Sequence, residues 1–155
     1  MTFTAKSIRG LTKNLRRRGG KIVFTNGVFD ILHYGHVEYL TRARALGDVL
    51  IVGLNSDRSV KKIKTGPRPF QDEADRARIL AALRPVDFVI RFHEETPLRL
   101  IELVRPDVLV KGADYKISDI VGAELVKSYG GRVKRIRLIP GCSTTDIIRK
   151  IKKSK

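Results

Sequence analysis

Residues 24–40 read FTNGVFDILHYGHVEYL and hold two of the chain's three histidines, His33 and His36, around Gly35. On a helix that begins near Gly35, the two imidazoles lie on one side of its first turn. Helix N-termini expose unpaired N–H groups and a positive dipole end, and so attract phosphate. Two imidazoles there add compact, nearly neutral donors. A glycine between them removes a side chain where a phosphate must come close. Thr25, Asn26 and Gly27, just upstream, offer further donors. The same spacing also fits half of a metal site, or two surface residues with no chemistry. A dedicated metal site wants three or four protein ligands, and no further histidine or cysteine cluster follows. The third histidine, His93, precedes Glu94-Glu95 and reads as a solvated loop residue.

Other stretches admit two readings each. In GCSTTDIIRKI (141–151), Gly141 permits a tight turn and a hydroxyl of Ser143-Thr144-Thr145 caps the next helix. That is either a plain cap or a second phosphate cradle. The run Lys61–Lys64 is either a solvated basic face or a source of phosphate-neutralising lysine. Gly112-Ala113-Asp114 is, by residue type, an ordinary strand-to-loop turn. Cys142 is the single cysteine, which excludes an internal disulfide and a cysteine-rich zinc site. It reads as structural.

The elements that must hold these groups alternate along the chain. Largely apolar or β-rich runs at 21–26, 49–55, 87–92, 107–112 and 132–139 are expected strands. VLIVGLN (49–55) has the near-continuous apolar character of a strand buried on both faces. Helical spacing is found at 5–18 (Ile8, Leu11, Leu15), at 35–46 (Val37, Leu40, Ala43, Leu46) and at 71–83. Further helices are expected from Pro97 to Val104, over 118–129 with Ser118 as N-cap, and after residue 143. The polar, basic stretch 55–69, with Gly66, Pro67 and Pro69, reads as a loop. Strand–helix alternation implies a doubly wound α/β domain with a five-stranded parallel sheet and helices on both faces. Ligands of such sheets bind beyond the carboxyl ends of the strands, near the reversal in strand order. FTNGVFD sits at one such end.

At 155 residues a single domain is expected, over 1–155 with an N-terminal helical segment at 1–19. No run approaches the roughly 20 apolar residues that span a bilayer. The first twenty residues have no signal-like apolar core. A cytoplasmic, membrane-independent protein is the default. The formal charge of +16, from 32 basic and 16 acidic side chains, points to polyanionic partners. Its spread along the chain favours phosphorylated small molecules over nucleic acid.

TNGVFDILHYGHVEYL resembles the signature of the HxGH nucleotidyltransferases, the cytidylyltransferase-like family. Matching segments follow in order: NSDRSVKKIKTGPRP (55–69), the arginine of DEADRARIL (Arg76), RPDVLVKGADYK (105–116) and GCSTTDIIRKI. Together, over 20–152, they are similar to the adenylyltransferases of ADP-heptose synthesis. These occur free-standing or as the C-terminal domain of a bifunctional kinase–adenylyltransferase. The resemblance implies a Rossmann-like fold and a reaction in which AMP passes from ATP to a sugar 1-phosphate with release of pyrophosphate. It implies direct in-line attack by a substrate phosphate oxygen, so no protein nucleophile is required.

Residue by residue, the resemblance gives His33, His36 and Lys64 catalytic roles: the imidazoles donate to the triphosphate, and the lysine neutralises leaving pyrophosphate. Lys61 is the alternative lysine. Thr25, Asn26, Gly27, Phe29 and Gly35 pack against nucleotide and substrate, and Arg76 is expected on phosphate. Gly112 and Asp114 are expected by ribose and base, on a strand lying beside the first. Ser143, Thr144 and Thr145 are expected on the β/γ end of the triphosphate. Asp30 is expected near the acceptor phosphate or metal, and Arg68 is a second candidate for substrate phosphate. Mg²⁺ is implied as a bridge between phosphates rather than a caged metal. A homodimer is implied by the family's habit. The stretch 138–145, LIPGCSTT, lacks the Arg-Thr that glycerol-phosphate cytidylyltransferases carry there. That favours the heptose type; a cytidylyltransferase acting on glycerol 3-phosphate or a related alcohol phosphate is the alternative. A nucleic-acid-binding module is the rival from another class, but it leaves paired histidines and hydroxyl-rich strand ends unexplained.

Overall fold

The computed structural model describes residues 2–3 and 5–154. Met1 and Thr4, within the expected N-terminal segment, and Lys155, at the end of the C-terminal basic run, lie outside the described residues. The sheet has six parallel strands in the order β1-β4-β3-β2-β5-β6. These are β1 Thr2–Phe3, β2 Ile22–Gly27, β3 Val49–Asn55, β4 Phe88–Phe92, β5 Val108–Gly112 and β6 Arg132–Ile136. The helices are α1 Ala5–Arg17, α2 Tyr34–Arg44, α3 Asp57–Ile63, α4 Glu73–Ala81, α5 Leu98–Val104, α6 Ala123–Ser128 and α7 Thr144–Lys153. The five expected strands are all present; β1 is a two-residue addition at the edge.

The core forms in two layers because strand side chains alternate between faces. On β2, Val23 joins Leu40, Ala43, Leu50, Val52, Leu80 and Val110 on one face. Its neighbours Ile22 and Phe24 join Ile8, Ile51, Ile90, Ile101, Val104 and Val126 on the other. All seven residues of β3 are buried, as its apolar run requires. Helices α2 and α4 cover the first face, and α1, α5 and α6 the second. β2 lies at the centre. The chain winds outward through β3 and β4, then returns to lay β5 against the other side of β2. The reversal therefore falls between β2 and β5, which is where such folds leave a crevice.

The opposite end of the sheet is pinned by three aspartates. Asp48, Asp87 and Asp107 each precede a strand and accept a backbone N–H, from Lys21, Leu50 and Ile22 respectively, all at 2.7 Å. These bonds fix the strand starts and so the register that carries the site.

Several expectations need correction. The stretch 55–69 is not all loop, for α3 occupies 57–63. Ser56 caps it by accepting from the Ser59 N–H, and Val60 is buried beneath it. Basic composition concealed a helix with only one apolar anchor. The helix expected over 118–129 is shorter and split. A 3₁₀ turn covers Ile117–Asp119, and Gly122, at φ 85°, starts α6. Ser118 caps nothing; its hydroxyl bonds Asp119. On α2 the inward positions include Tyr39, whereas Val37 is exposed.

Candidate active site

The site grows from the carboxyl end of β2. Thr25 is fully buried, and its hydroxyl pairs with the Tyr39 hydroxyl at 2.7 Å. That bond ties β2 to α2 and explains why α2 buries Tyr39. Asn26 follows with a buried side-chain oxygen that has no hydrogen-bond partner. The chain then turns sharply. Phe29 adopts φ 48°, a left-handed conformation uncommon outside glycine. Its ring packs against His36 with centroids 5.1 Å apart. Non-glycine residues so held concentrate at functional sites.

His33 is the N-cap of α2, and its side chain makes no capping bond. The two imidazoles stack, with centroids 3.8 Å apart and planes 23° from parallel. Both Nδ1 atoms are buried without a partner. Burial pushes the His36 imidazole down to about 4, and His33 beside it adds to the fall. Burial also lowers His33, with Asp146 pulling the other way. Both rings are therefore neutral at physiological pH, and a neutral imidazole donates one hydrogen bond. The histidines are compact donors at a helix N-terminus, not fixed positive charges.

Gly35 has a more specific reason than room for a phosphate. A Cβ there would lie 3.0 Å from the Cβ and carbonyl oxygen of Cys142 and from His33 Nδ1. The glycine lets the segment before α7 pack directly on the first turn of α2. Two helix N-termini are thereby brought side by side. Ser143 caps α7, accepting from the Asp146 N–H at 3.1 Å while its hydroxyl bonds the Asp146 carboxylate at 2.6 Å. Thr144 reaches the Ile31 carbonyl at 3.4 Å.

These groups open onto a crevice of two adjoining lobes, of 640 Å³ and 450 Å³. The smaller is lined by His33, Gly35, Gly112, Asp114, Cys142 and Ser143. The larger is lined by Asp30, Asn55, Arg68, Glu95, Thr96 and Asp119. Asn26, Gly27, Phe29, His36, Lys64, Lys111, Thr144 and Thr145 border both and form the seam. Lys64 thus reaches the crevice, while Lys61 borders neither lobe.

Three sequence-predicted residues are occupied by the protein itself. Arg76 is 1% exposed and borders neither lobe. Its guanidinium donates to the carbonyls of Gln71 (2.9 Å), Val28 (2.6 Å) and Asn55 (3.0 Å), and to the Asp57 carboxylate (2.6 Å). It clamps the ends of β2 and β3 to α3 and α4, and does not stand where a phosphate could reach it. Asp30 is buried and accepts from Arg68 at 2.8 Å and from the N–H groups of Phe70 and Gln71 at 2.7 and 3.1 Å. The pair holds the 66–71 loop over the larger lobe. Among the described residues, no group of three or more His, Cys, Asp or Glu side chains could hold a metal ion.

One residue escaped the sequence reading. Lys111, in VLVKGADYK, borders both lobes and reaches the Asn26 carbonyl at 3.4 Å. Burial pushes its ammonium down to about 8, with Asp114 opposing the fall. The available signal was a lone lysine closing an otherwise apolar strand that ends at the switch point.

Comparison with known proteins agrees with this geometry. A family model described as cytidylyltransferase-like matches residues 24–150. Among curated relatives, the bifunctional protein HldE of Syntrophotalea carbinolica is 55% identical over 146 residues, 94% of this chain and 30% of the relative. HldE of Geotalea uraniireducens is 56% identical over the same shares. This chain thus spans about 30% of the length of these relatives. Among solved structures, a lipopolysaccharide core biosynthesis protein from Thermoplasma volcanium superposes with a TM-score of 0.63 at 34% identity. The match covers 78% of this chain and 98% of that one. A pantoate-beta-alanine ligase from Francisella tularensis, at 17% identity and a TM-score of 0.63, covers 98% of this chain and 77% of its own, and shares the fold. No helix among the described residues is long and apolar enough to cross a membrane. By its family-model match and its 34% identical structural neighbour, the chain belongs to the cytidylyltransferase-like family of nucleotidyltransferases.

Proposed function

We propose that residues 1–155 act as one adenylyltransferase domain that moves AMP from ATP to a sugar 1-phosphate of the heptose 1-phosphate type, releasing pyrophosphate. The observation that carries this reading is the seam. There two helix N-termini, the His36 ring of the stacked imidazole pair and two lysines converge between a lobe rich in donors to phosphate and a lobe rich in hydroxyl-binding groups. The heptose type is supported by curated relatives named HldE and by a structural neighbour titled a lipopolysaccharide core biosynthesis protein.

In this reading the triphosphate lies along the smaller lobe. The N-termini of α2 and α7 face its oxygens, with Thr144 and Thr145 adding hydroxyls. Ser143, engaged with Asp146, serves by holding α7 in place. Gly112 and Asp114 border the nucleoside. The sugar occupies the larger lobe, and its phosphate meets the α-phosphorus at the seam. An acceptor phosphate oxygen forms the new P–O bond as the bond to the β-phosphate oxygen breaks, and pyrophosphate leaves with that electron pair. His33 and His36 donate to phosphate oxygens as charge shifts, and Lys64 neutralises the pyrophosphate. Neutral imidazoles suit this work, because they stabilise developing charge without trapping the product as an ion pair. Bound with the nucleotide, Mg²⁺ would supply neutralisation of phosphate charge. A cytoplasmic homodimer completes the proposal.

The test is pyrophosphate release by the whole chain with each nucleoside triphosphate, Mg²⁺ and a panel of sugar 1-phosphates and polyol phosphates. ATP with a heptose or related sugar 1-phosphate is expected to be fastest. Preference for CTP with glycerol 3-phosphate would establish the cytidylyltransferase alternative instead. Salt-sensitive RNA or DNA binding without pyrophosphate release would contradict an enzyme.

A further inference from the structure

Lys111 stands apart from the other cations of the crevice. It sits on β5, the strand laid against β2 across the switch point, after the buried Val108, Leu109 and Val110. An ammonium presents three donors. The contacts within reach are the Asn26 carbonyl, at the long limit of 3.4 Å, and the Tyr115 ring, with its centroid 5.6 Å away. The neighbouring charges do not complete it. Asp114 lies three residues on and acts through space. Arg135, its register partner on β6, donates to the Tyr115 carbonyl at 3.0 Å. A partly buried cation with such thin coordination is held ready for an anion.

Its position says which anion. The triphosphate has a cradle of its own in the smaller lobe, built from two helix N-termini and His33. The larger lobe offers Asn55, Glu95, Thr96 and Asp119, groups suited to hydroxyls rather than to a second phosphate chain. Its cation Arg68 is already paired with Asp30. A phosphate entering with the sugar therefore meets Lys111 and Lys64 at the seam. Lys64 is exposed, at the C-terminal end of α3, whereas Lys111 is fixed on the sheet.

We propose that Lys111 is a catalytic residue that binds the phosphate monoester of the acceptor at the seam and aims its attacking oxygen at the nucleotide's α-phosphorus. This rests on the adenylyltransferase reading above. It adds a residue to that site and divides its labour, with acceptor phosphate on β5 and the triphosphate on α2 and α7.

The test compares the wild-type chain with Lys111→Met and Lys111→Arg, using ATP and the fastest sugar 1-phosphate. Calorimetric titration of each compound alone reads binding without turnover, and steady-state kinetics read KM and kcat separately. Lys111→Met is expected to weaken sugar 1-phosphate binding at least tenfold while ATP affinity stays within threefold. Lys111→Arg is expected to recover most of the loss. In the wild type, kcat/KM for the acceptor is expected to fall above about pH 8, where the ammonium loses its proton, and Lys111→Arg is expected to remove that decline. Loss of ATP affinity in Lys111→Met, or unchanged affinity for the sugar 1-phosphate, would overturn the proposal. Acceptor binding that depends on Lys111 in a chain that releases no pyrophosphate would instead sink the adenylyltransferase reading and leave the binding role standing.

Discussion

The two flanks of the β2 terminus treat buried polar groups in opposite ways. On the β3 side the buried charged groups are paired into a closed network, and the Gln71 side-chain oxygen is the buried polar atom left without a partner among the described residues there. Arg76 spends its guanidinium on three carbonyls and Asp57, and Asp30 accepts three hydrogen bonds. On the α2 and β5 side the network is open. Both histidine Nδ1 atoms lack partners, and Lys111 has one long hydrogen bond and a distant ring contact. Burying a polar group without a partner is costly, so most proteins avoid it. A closed network sets geometry, and an open one holds donors in reserve for a ligand. Charge alone does not separate the two, since both flanks are basic.

The largest expected effect tests the open side. His36→Ala should lower turnover by about 100- to 1,000-fold, the scale of losing one preorganised donor to developing charge. Circular dichroism should stay unchanged, and a rate within threefold of wild type would show that the open side is not the reaction centre. The closed side should answer in stability. Arg76→Met should cost about 3–5 kcal/mol in denaturant unfolding, because it strands three carbonyls and the Asp57 carboxylate around a buried site. Lys111→Met should cost nothing, because it removes an ammonium with few partners. If Lys111→Met is the more destabilising of the two, the contrast between flanks is wrong.

The smallest effect is in pH. Between about 6.5 and about 4, an unfolded histidine takes up a proton that folded His36 refuses. The unfolded state then binds more protons, so stability should fall as pH drops through this window and this contribution should level off below it. His36→Phe should make the decline shallower in denaturant midpoints measured from pH 7 to pH 4. Equal slopes for the two proteins would show that His36 is not desolvated.

The strands were readable because a doubly covered parallel sheet needs runs such as VLIVGLN, which little else in a protein resembles. The switch point followed from the alternation of elements, and β5 does lie beside β2. The pairing of the histidines at a helix start was visible because residue type and helix start both lie within a dozen residues. Arg76 was misjudged for the opposite reason. Its partners Val28 and Asn55 lie 48 and 21 positions away, so its burial is a tertiary fact with no local signature. Lys111 was passed over because a strand lysine ordinarily reaches solvent, and only the strand order turns it into the crevice. Helix α3 was hidden by its lysines, since one buried valine and a serine cap leave little periodicity to find.

The central claim is a one-step transfer between lobes, with no covalent link to the protein even though Cys142 and Ser143 border the smaller lobe. It is tested most directly by the stereochemistry of transfer from ATP made chiral at the α-phosphorus. Inversion at that phosphorus is the expected result, from a single in-line displacement by the acceptor's phosphate. Retention would mean two displacements through a nucleotidyl-enzyme, and would contradict the account.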